Sequence, residues 1–332
     1  MDPLRPRRAH RLSPTVQAGE GPRRVVVLGG TGWLGRHLHS LARRRGHDVL
    51  AVARTPVSHI RGGEFRRMDV AHASRGQVAA LLEEFRADVV VNAVDSANAT
   101  DGWERTEEEM AASNVHLVDT LLSAVAGLAH RPRLVHVSTV LEYGPQSPGT
   151  SLCAATPLTP RTVYDRTRLV GSLAVLRAAR AGRVDATVVR LPNLCGPHPS
   201  PATFFGKLLA ALRESARSGR TVRVAVAKAH RDFVDVRDAA DGVLRAAVVP
   251  EAVGRAVNLG SGRAVEIRTL VRLFTRAAGL SEGAVRDTGQ PVASLGGDWI
   301  RVDVEEAWDL LGWRARTPLE VSLREAWEQD AA

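Results

Sequence analysis

Residues 24–35 read R-V-V-V-L-G-G-T-G-W-L-G, and this stretch restricts the chain to few folds. A β-branched run leads into Gly29, Gly32 and Gly35, spaced G-x-x-G-x-x-G, and an amphipathic stretch over 33–45 follows. Strand, glycine turn and helix in direct succession open a dinucleotide-binding βαβ unit. The first glycine permits the tight turn, the second lets backbone approach a pyrophosphate, and the third lets helix and strand pack closely. Free N–H groups at the helix start then face the anion. Thr31, Trp33 and Leu34 lie in the same loop and join the expected cofactor contacts. The competing reading is an ordinary glycine-rich turn, and the rest of the chain decides between them.

The pattern of 24–35 repeats as a class. Apolar strands are predicted at 24–28, 49–53, 88–94, 133–138 and 185–191, separated by helices at 33–45, 76–86, 106–129 and 162–181. Such alternation predicts an α/β fold with a parallel, doubly wound Rossmann-type sheet. After about residue 195 short strands and Gly/Pro-rich loops mix with helices near 203–217, 237–248, 266–279 and 319–328. These predict a smaller substrate-binding lobe on the carboxyl edge of the sheet. The expected division is a disordered Arg/Pro-rich leader at 1–22, a dinucleotide-binding domain at 23–192 and the lobe at 193–330, with 231–262 returning to the core.

Composition excludes several alternatives. The 332 residues are 44% hydrophobic, enough for a sizeable core. No apolar run is long enough to span a bilayer, so no membrane association is expected. Cys153 and Cys195 have no CxxC spacing, so neither a disulfide framework nor a metal site is expected, and a reducing cytoplasm suits them. The net charge of +9 raises nucleic acid as a partner, but the cations are scattered and aromatics make up 4%, so none is expected. Of 45 cationic residues only Lys207 and Lys228 are lysines. Arginine therefore fills positions where lysine is ordinary.

Cofactor choice is read at the end of the second strand. A carboxylate there would bond a ribose 2′-hydroxyl; the sequence has Arg54, which favours a 2′-phosphate and hence NADPH. A solvated surface arginine is the alternative. Asp69 sits where a carboxylate would take a bond from the adenine amino group, or where it would cap a helix. Val70 beside it, Asn92 and Ala93 closing the strand 88–94, and Leu191 closing 185–191 complete the expected cofactor set.

The strand 133–138 runs into S-T-V-L-E-Y-G, placing the Thr139 hydroxyl at the crevice where a dinucleotide lies. Tyr164 opens a helix, with Arg168 one turn later on the same face. A hydroxyl, a phenol and a cation beside a nicotinamide form a ketone-reduction site. The phenol protonates the carbonyl oxygen, the threonine holds that oxygen, and the cation lowers the phenol pKa and bonds the nicotinamide ribose. Singly, Thr139 is also a strand end and Tyr164 a buried aromatic.

These features resemble the extended short-chain dehydrogenase/reductases, the nucleotide-sugar epimerase/dehydratase/reductase family, over about 24–328. The motifs are G-G-T-G-W-L-G, H-V-S-T-V-L-E-Y-G-P (136–145), Y-D-R-T-R (164–168), R-L-P-N-L-C-G-P (190–197), R-D-F-V-D-V-R-D-A-A (231–240), V-N-L-G-S-G (257–262) and D-V-E-E-A-W-D-L-L-G-W (303–313). The resemblance implies Thr139, Tyr164 and Arg168 as catalytic residues, with Tyr164 and Arg168 also meeting the cofactor. It implies Asn193 and Arg231 as contacts to a sugar-nucleotide diphosphate; for Arg231 an ion pair with Asp235 or Asp238 is the alternative. It also implies a homodimer through the helices 106–129 and 162–181, whose Leu117, Leu121, Leu169 and Leu176 would equally suit the chain's own sheet.

Three departures shape the expected reaction. Arg168 replaces the family lysine and keeps the charge in a bulkier fork. Val140 and Leu141 stand where dehydratases carry Asp-Glu, which argues against water elimination. The arginine that epimerases often place ahead of the D-x-x-x-A segment has no clear match in 286–301. The sequence looks most like NADPH-dependent 4-ketoreductases acting on dTDP-4-keto-6-deoxyhexoses in antibiotic deoxysugar biosynthesis. The other readings are a ketoreductase for a non-sugar natural-product ketone, a nucleotide-sugar 4-epimerase, and a non-enzymatic NADP sensor.

Overall fold

Runs of valine and leucine long enough to be buried on both faces build a parallel sheet. The computed structural model describes residues 21–95, 106–292, 294 and 296–329. The leader expected at 1–22 therefore lies, except for Gly21 and Pro22, outside the described residues. The first half comprises β1 (Arg24–Leu28), α1 (Trp33–Arg44), β2 (Asp48–Ala53), β3 (Phe65–Arg67), α2 (Arg75–Phe85) and β4 (Val89–Asn92). It continues with α3 (Glu107–Ala111), α4 (Leu117–Ala126), β5 (Arg133–Thr139), α5 (Val163–Arg180) and β6 (Ala186–Leu191). The second half comprises β7 (Asn193–Cys195), α6 (Phe204–Ser218), β8 (Val222–Val224), β9 (His230–Asp235), α7 (Val236–Ala246) and β10 (Ala256–Asn258). β11 (Ala264–Glu266), α8 (Ile267–Ala277), β12 (Val285–Asp287), α9 (Glu305–Leu311) and α10 (Leu319–Glu328) close it.

Seven strands pair in the order β10-β6-β5-β4-β1-β2-β3, and every pairing is parallel. From β1 the chain winds outward through β2 and β3, then returns to β4 and winds the other way. The carboxyl ends of β1 and β4 thus flank a crevice. One face of the sheet packs on α1 and α7 with Trp313 among them; the other packs on α2, α4 and α5. Within 231–262, α7 lies against α1 and β10 extends the sheet beyond β6. β9 instead pairs with β7 and β11 in a small second sheet. Phe205, Leu212, Phe274 and Leu323 join α6, α8 and α10 into the core of the lobe.

Local chemistry explains the helix starts. Ser74 with Gln77, Thr106 with Glu109 and Thr162 with Asp165 each form a reciprocal capping box. The helix expected over 106–129 is interrupted: a π-helical turn at Ala112–His116 separates α3 from α4, which ends at Ala126. The wide turn inserts a residue and aims the side chain of Asn114 inward. There α5 comes so close that a Cβ on Gly171 would sit 2.3 Å from the Asn114 carbonyl oxygen. Leu117, Leu121 and Leu176 are buried against the chain's own sheet, while Leu169 is half-buried.

Candidate active site

The crevice at the carboxyl ends of the strands is a cleft of about 930 Å³ that continues beneath the lobe. Its first wall is the glycine loop. Gly29 has φ +77°, and a Cβ there would meet the Ala93 carbonyl oxygen at 2.7 Å; a Cβ on Gly35 would lie 2.1 Å from the Gly29 oxygen. Both positions thus require glycine. α1 begins at Gly32 with no side-chain cap and no acidic residue in its first turn. Its leading N–H groups and positive dipole end form a cradle that fits a dinucleotide diphosphate.

Every residue expected from the sequence lines this cleft except Asn92. Asn92 is buried at the end of β4, where its Oδ1 accepts from the Val94 N–H (3.2 Å) and its Nδ2 faces His136 Nδ1 (3.1 Å). It shapes the loop from beneath. Arg54 stands exposed at the end of β2, with no hydrogen bond or ion pair to another described residue. Asp69 accepts from the Ala71 N–H and faces His72 (3.0 Å); the cap of α2 is Ser74 instead.

At the end of β5 the chain enters a short 3₁₀ turn, Val140–Tyr143. Thr139 Oγ1 accepts from the Leu141 N–H at 3.2 Å, which leaves the Thr139 O–H to donate into the cleft. Val140 and Leu141 are buried in an apolar cluster with Met110, Leu152, Tyr164 and Ile300. Glu142, the carboxylate of this turn, points away into the core. It accepts from Ser138, from Ser172 and from Arg190 Nε at 2.6 Å.

Tyr164 sits at the start of α5, and its hydroxyl lies 3.4 Å from both carboxylate oxygens of Asp95. Burial, then the Asp95 charge, push the phenol well above its ordinary pKa; Arg168 opposes them. Arg168 is buried beneath the cleft. Its guanidinium donates to the carbonyls of Val94 (3.2 Å) and Val137 and to Asn114 Oδ1 (3.4 Å). These carbonyls lie just past β4 and near the end of β5, so the cation ties both strand ends to α5. Arg168 also helps burial hold His136 neutral, with its pKa lowered to about 3.

The lobe supplies the far wall. Asn193 opens β7 beside Phe233 of β9. Arg231 donates to the His230 carbonyl (2.8 Å), to Ser294 and to the Gly297 carbonyl. The two carboxylates expected as its alternative partners are engaged elsewhere: Asp235 by Arg237, Asp238 by the N–H groups of Arg316 and Thr317. Trp33 joins the two walls. Its indole N–H donates to the Pro197 carbonyl at 2.8 Å, and its ring stacks on Phe205 at 5.9 Å.

Asp95 and Asn114 were not singled out from the sequence. Asp95 follows the strand 88–94 directly, and strand carboxyl ends are where such sheets place ligand contacts. Asn114 is a polar residue among the apolar positions of its helix, but only the π-helical turn brings it to Arg168.

Comparison with known proteins places this geometry. The family model for the NAD dependent epimerase/dehydratase family matches residues 25–260. A dTDP-6-deoxy-L-talose 4-dehydrogenase (NAD(P)(+)) from Kitasatospora kifunensis is 35% identical over 308 residues, 92% of this chain and 95% of that protein. Among solved structures, the UDP-glucose 4-epimerase of Thermus thermophilus, in complex with NAD, superposes with a TM-score of 0.80 at 21% identity, covering 92% of this chain and 98% of that one. RMD from Pseudomonas aeruginosa, complexed with NADPH, gives 0.74 at 20% identity, covering 92% and 97%.

Proposed function

The chain belongs to the NAD dependent epimerase/dehydratase family, and on that premise we propose that it reduces the C4 ketone of a dTDP-linked 4-keto-6-deoxyhexose with NADPH. The observation that carries the reading is the turn after Thr139. Hydroxyl and phenol face the cleft there, while Val140 and Leu141 are apolar and Glu142 is committed to Arg190. Proton donation to a carbonyl is served, and the two positions after Thr139 offer no carboxyl group for water elimination. The Kitasatospora relative supports C4 as the reacting carbon, because a 4-dehydrogenase of a 6-deoxy sugar and a 4-ketoreductase run the same redox step in opposite directions.

Bound NADPH supplies the hydride. The glycine loop and α1 hold its diphosphate, and Arg54 is the cation available to a 2′-phosphate. Asn193 and Arg231 hold the sugar-nucleotide diphosphate across the cleft. Thr139 donates a hydrogen bond to O4 and orients the ketone. Tyr164 transfers its proton to O4 as the carbon is reduced, and Arg168 stabilises the phenolate left behind. Val170 and Leu173, apolar and exposed on α5 (45% and 37%), support a homodimer through that helix. Cys153 and Cys195, both free thiols, suit a reducing cytoplasm.

The test follows NADPH absorbance with freshly generated dTDP-4-keto-6-deoxyglucose and related deoxygenated keto-sugars. Consumption by the wild type that falls at least ~100-fold in Tyr164→Phe is the expected result. No consumption with any of these sugars, alongside reduction of a non-sugar ketone, would move the chain to a different substrate class. Purification with tightly held NAD and equilibration of a UDP-sugar at C4 would make it an epimerase.

A further inference from the structure

We propose that Asp95 is a positioning residue for Tyr164: its carboxylate takes the phenolic hydrogen bond and holds the tyrosine as a proton donor, so that the site enters turnover poised for reduction. The inference rests on the ketoreductase reading and deepens it.

The phenol has one proton and one use for it. A site that begins by oxidising an alcohol needs the tyrosine as a phenolate, to receive the hydroxyl proton. A site that reduces a ketone needs the phenol itself. Two arrangements favour the second state here. The cation that would stabilise a phenolate is spread over the Val94 and Val137 carbonyls and Asn114. A carboxylate instead faces the hydroxyl, with both oxygens 3.4 Å away. An anion at that distance repels a phenolate and accepts from a phenol.

Among the described residues, the charged groups acting on the phenol are Asp95 from the loop after β4, and Arg168 and Asp165 from α5 itself. Asp165 is committed to the helix start, accepting from the Thr162 N–H at 3.1 Å. Glu109 of α3 lines the same cleft and caps its own helix through the Thr106 N–H. From β5 comes the neutral Thr139 hydroxyl. Of these anions, Asp95 alone is within hydrogen-bonding reach of the phenol among the contacts described.

The step balances simply. A bond of 3.4 Å is weak, so the phenolic hydrogen moves readily to a nearer ketone oxygen. The O–H bond of Tyr164 breaks as the new O–H bond at C4 forms, and the phenolate then takes a proton from water. Asp95 favours that last step by repulsion. It leaves the equilibrium of the reaction unchanged and sets the protonation state in which the tyrosine waits.

The chain contains only two tyrosines, Tyr143 and Tyr164, so the state of the phenol can be read directly. Protein labelled with 13C at the tyrosine ring carbon bearing oxygen shows two resonances, and Tyr164→Phe assigns them. The expected result is that Asp95→Asn and Asp95→Ala lower the titration midpoint of Tyr164 by about 1 pH unit or more. Tyr143 should not move, and the alkaline limb of kcat/KM for ketone reduction should shift down with Tyr164. A Tyr164 resonance that titrates no earlier in either variant than in wild type, up to the alkaline limit of folding, would overturn the proposal. With wild-type NADPH consumption intact, that failure belongs to Asp95 alone. A wild type that consumes no NADPH fails the ketoreductase reading instead, whichever way the resonance moves.

Discussion

The two tyrosines occupy two clusters built from the same kinds of residue. Tyr143 lies with Arg190 and Glu142; Tyr164 lies with Arg168 and Asp95. The first cluster is closed. Arg190 pairs with Glu142, donates to the Tyr143 hydroxyl at 3.0 Å and covers its ring, and that hydroxyl donates to Asn258. Ser138 and Ser172 complete the carboxylate, and all three principal side chains are buried. The second cluster is open. Its phenol–carboxylate contact is long, its cation bonds carbonyls rather than the carboxylate, and the buried Arg168 Nε has no hydrogen-bond partner among the described residues. Saturated hydrogen bonding turns such a triad into scaffold. Contacts that can be exchanged, facing a cleft, make it a reaction site.

The widest separation between the clusters is expected in their tyrosines. Tyr164→Phe should lower turnover by about 10²–10⁴ while moving stability by less than ~1 kcal/mol. Tyr143→Phe should show the reverse emphasis, with weakened folding and a site still able to reduce. Equal effects of the two on turnover would erase the distinction.

Next comes the closed ion pair. Glu142→Gln leaves Arg190 as a buried cation without its counter-charge, and an unfolding free-energy loss of about 3–5 kcal/mol is expected in urea titrations. A loss as small as that of an exposed pair would mean the cluster tolerates opening.

A smaller effect links pH to β5, the strand that leads into the turn of Glu142 and Tyr143. His136 is held neutral by burial, with a folded pKa of about 3 against an ordinary value of 6.5. A depressed folded pKa gives stability that is complete above pH 6.5 and is lost as pH falls toward 3. Between pH ~6.5 and ~5 the loss should be about 1–2 kcal/mol, and shallower in His136→Gln. His37, lowered to about 4 mainly by burial, adds in the same direction.

The smallest change is expected from Arg168→Lys. The charge stays beneath the Tyr164 site and the orphaned Nε disappears, so turnover should remain within about tenfold of wild type. A large gain in turnover would show that the arginine had impaired the chemistry.

Much of this was legible in the chain. The glycine loop, the alternation up to residue 191 and the positions of Thr139, Tyr164 and Arg168 are local patterns, and the structure gathers those residues into one cleft. The short strands of the second half were harder to read. β7, β8, β10, β11 and β12 have three residues each, too few for a period to register. Asn92 was read as a cofactor contact from its place at a strand end, yet its side chain turns inward to His136.

By itself the sequence determined the longer strands and helices up to residue 191, where the backbone must be glycine and which chemical groups stand near the carboxyl edge of the sheet. These follow from steric freedom and from periodicity, which act between near neighbours. Only the tertiary structure decided what each charge faces. Glu142 and Arg190 are 48 residues apart, and Asp95 and Tyr164 are 69 apart. Electrostatic environment depends on distance through space and on burial, and neither is written in the order of residues. That is why two tyrosines that look alike in the chain became, once folded, a structural tie and a candidate acid.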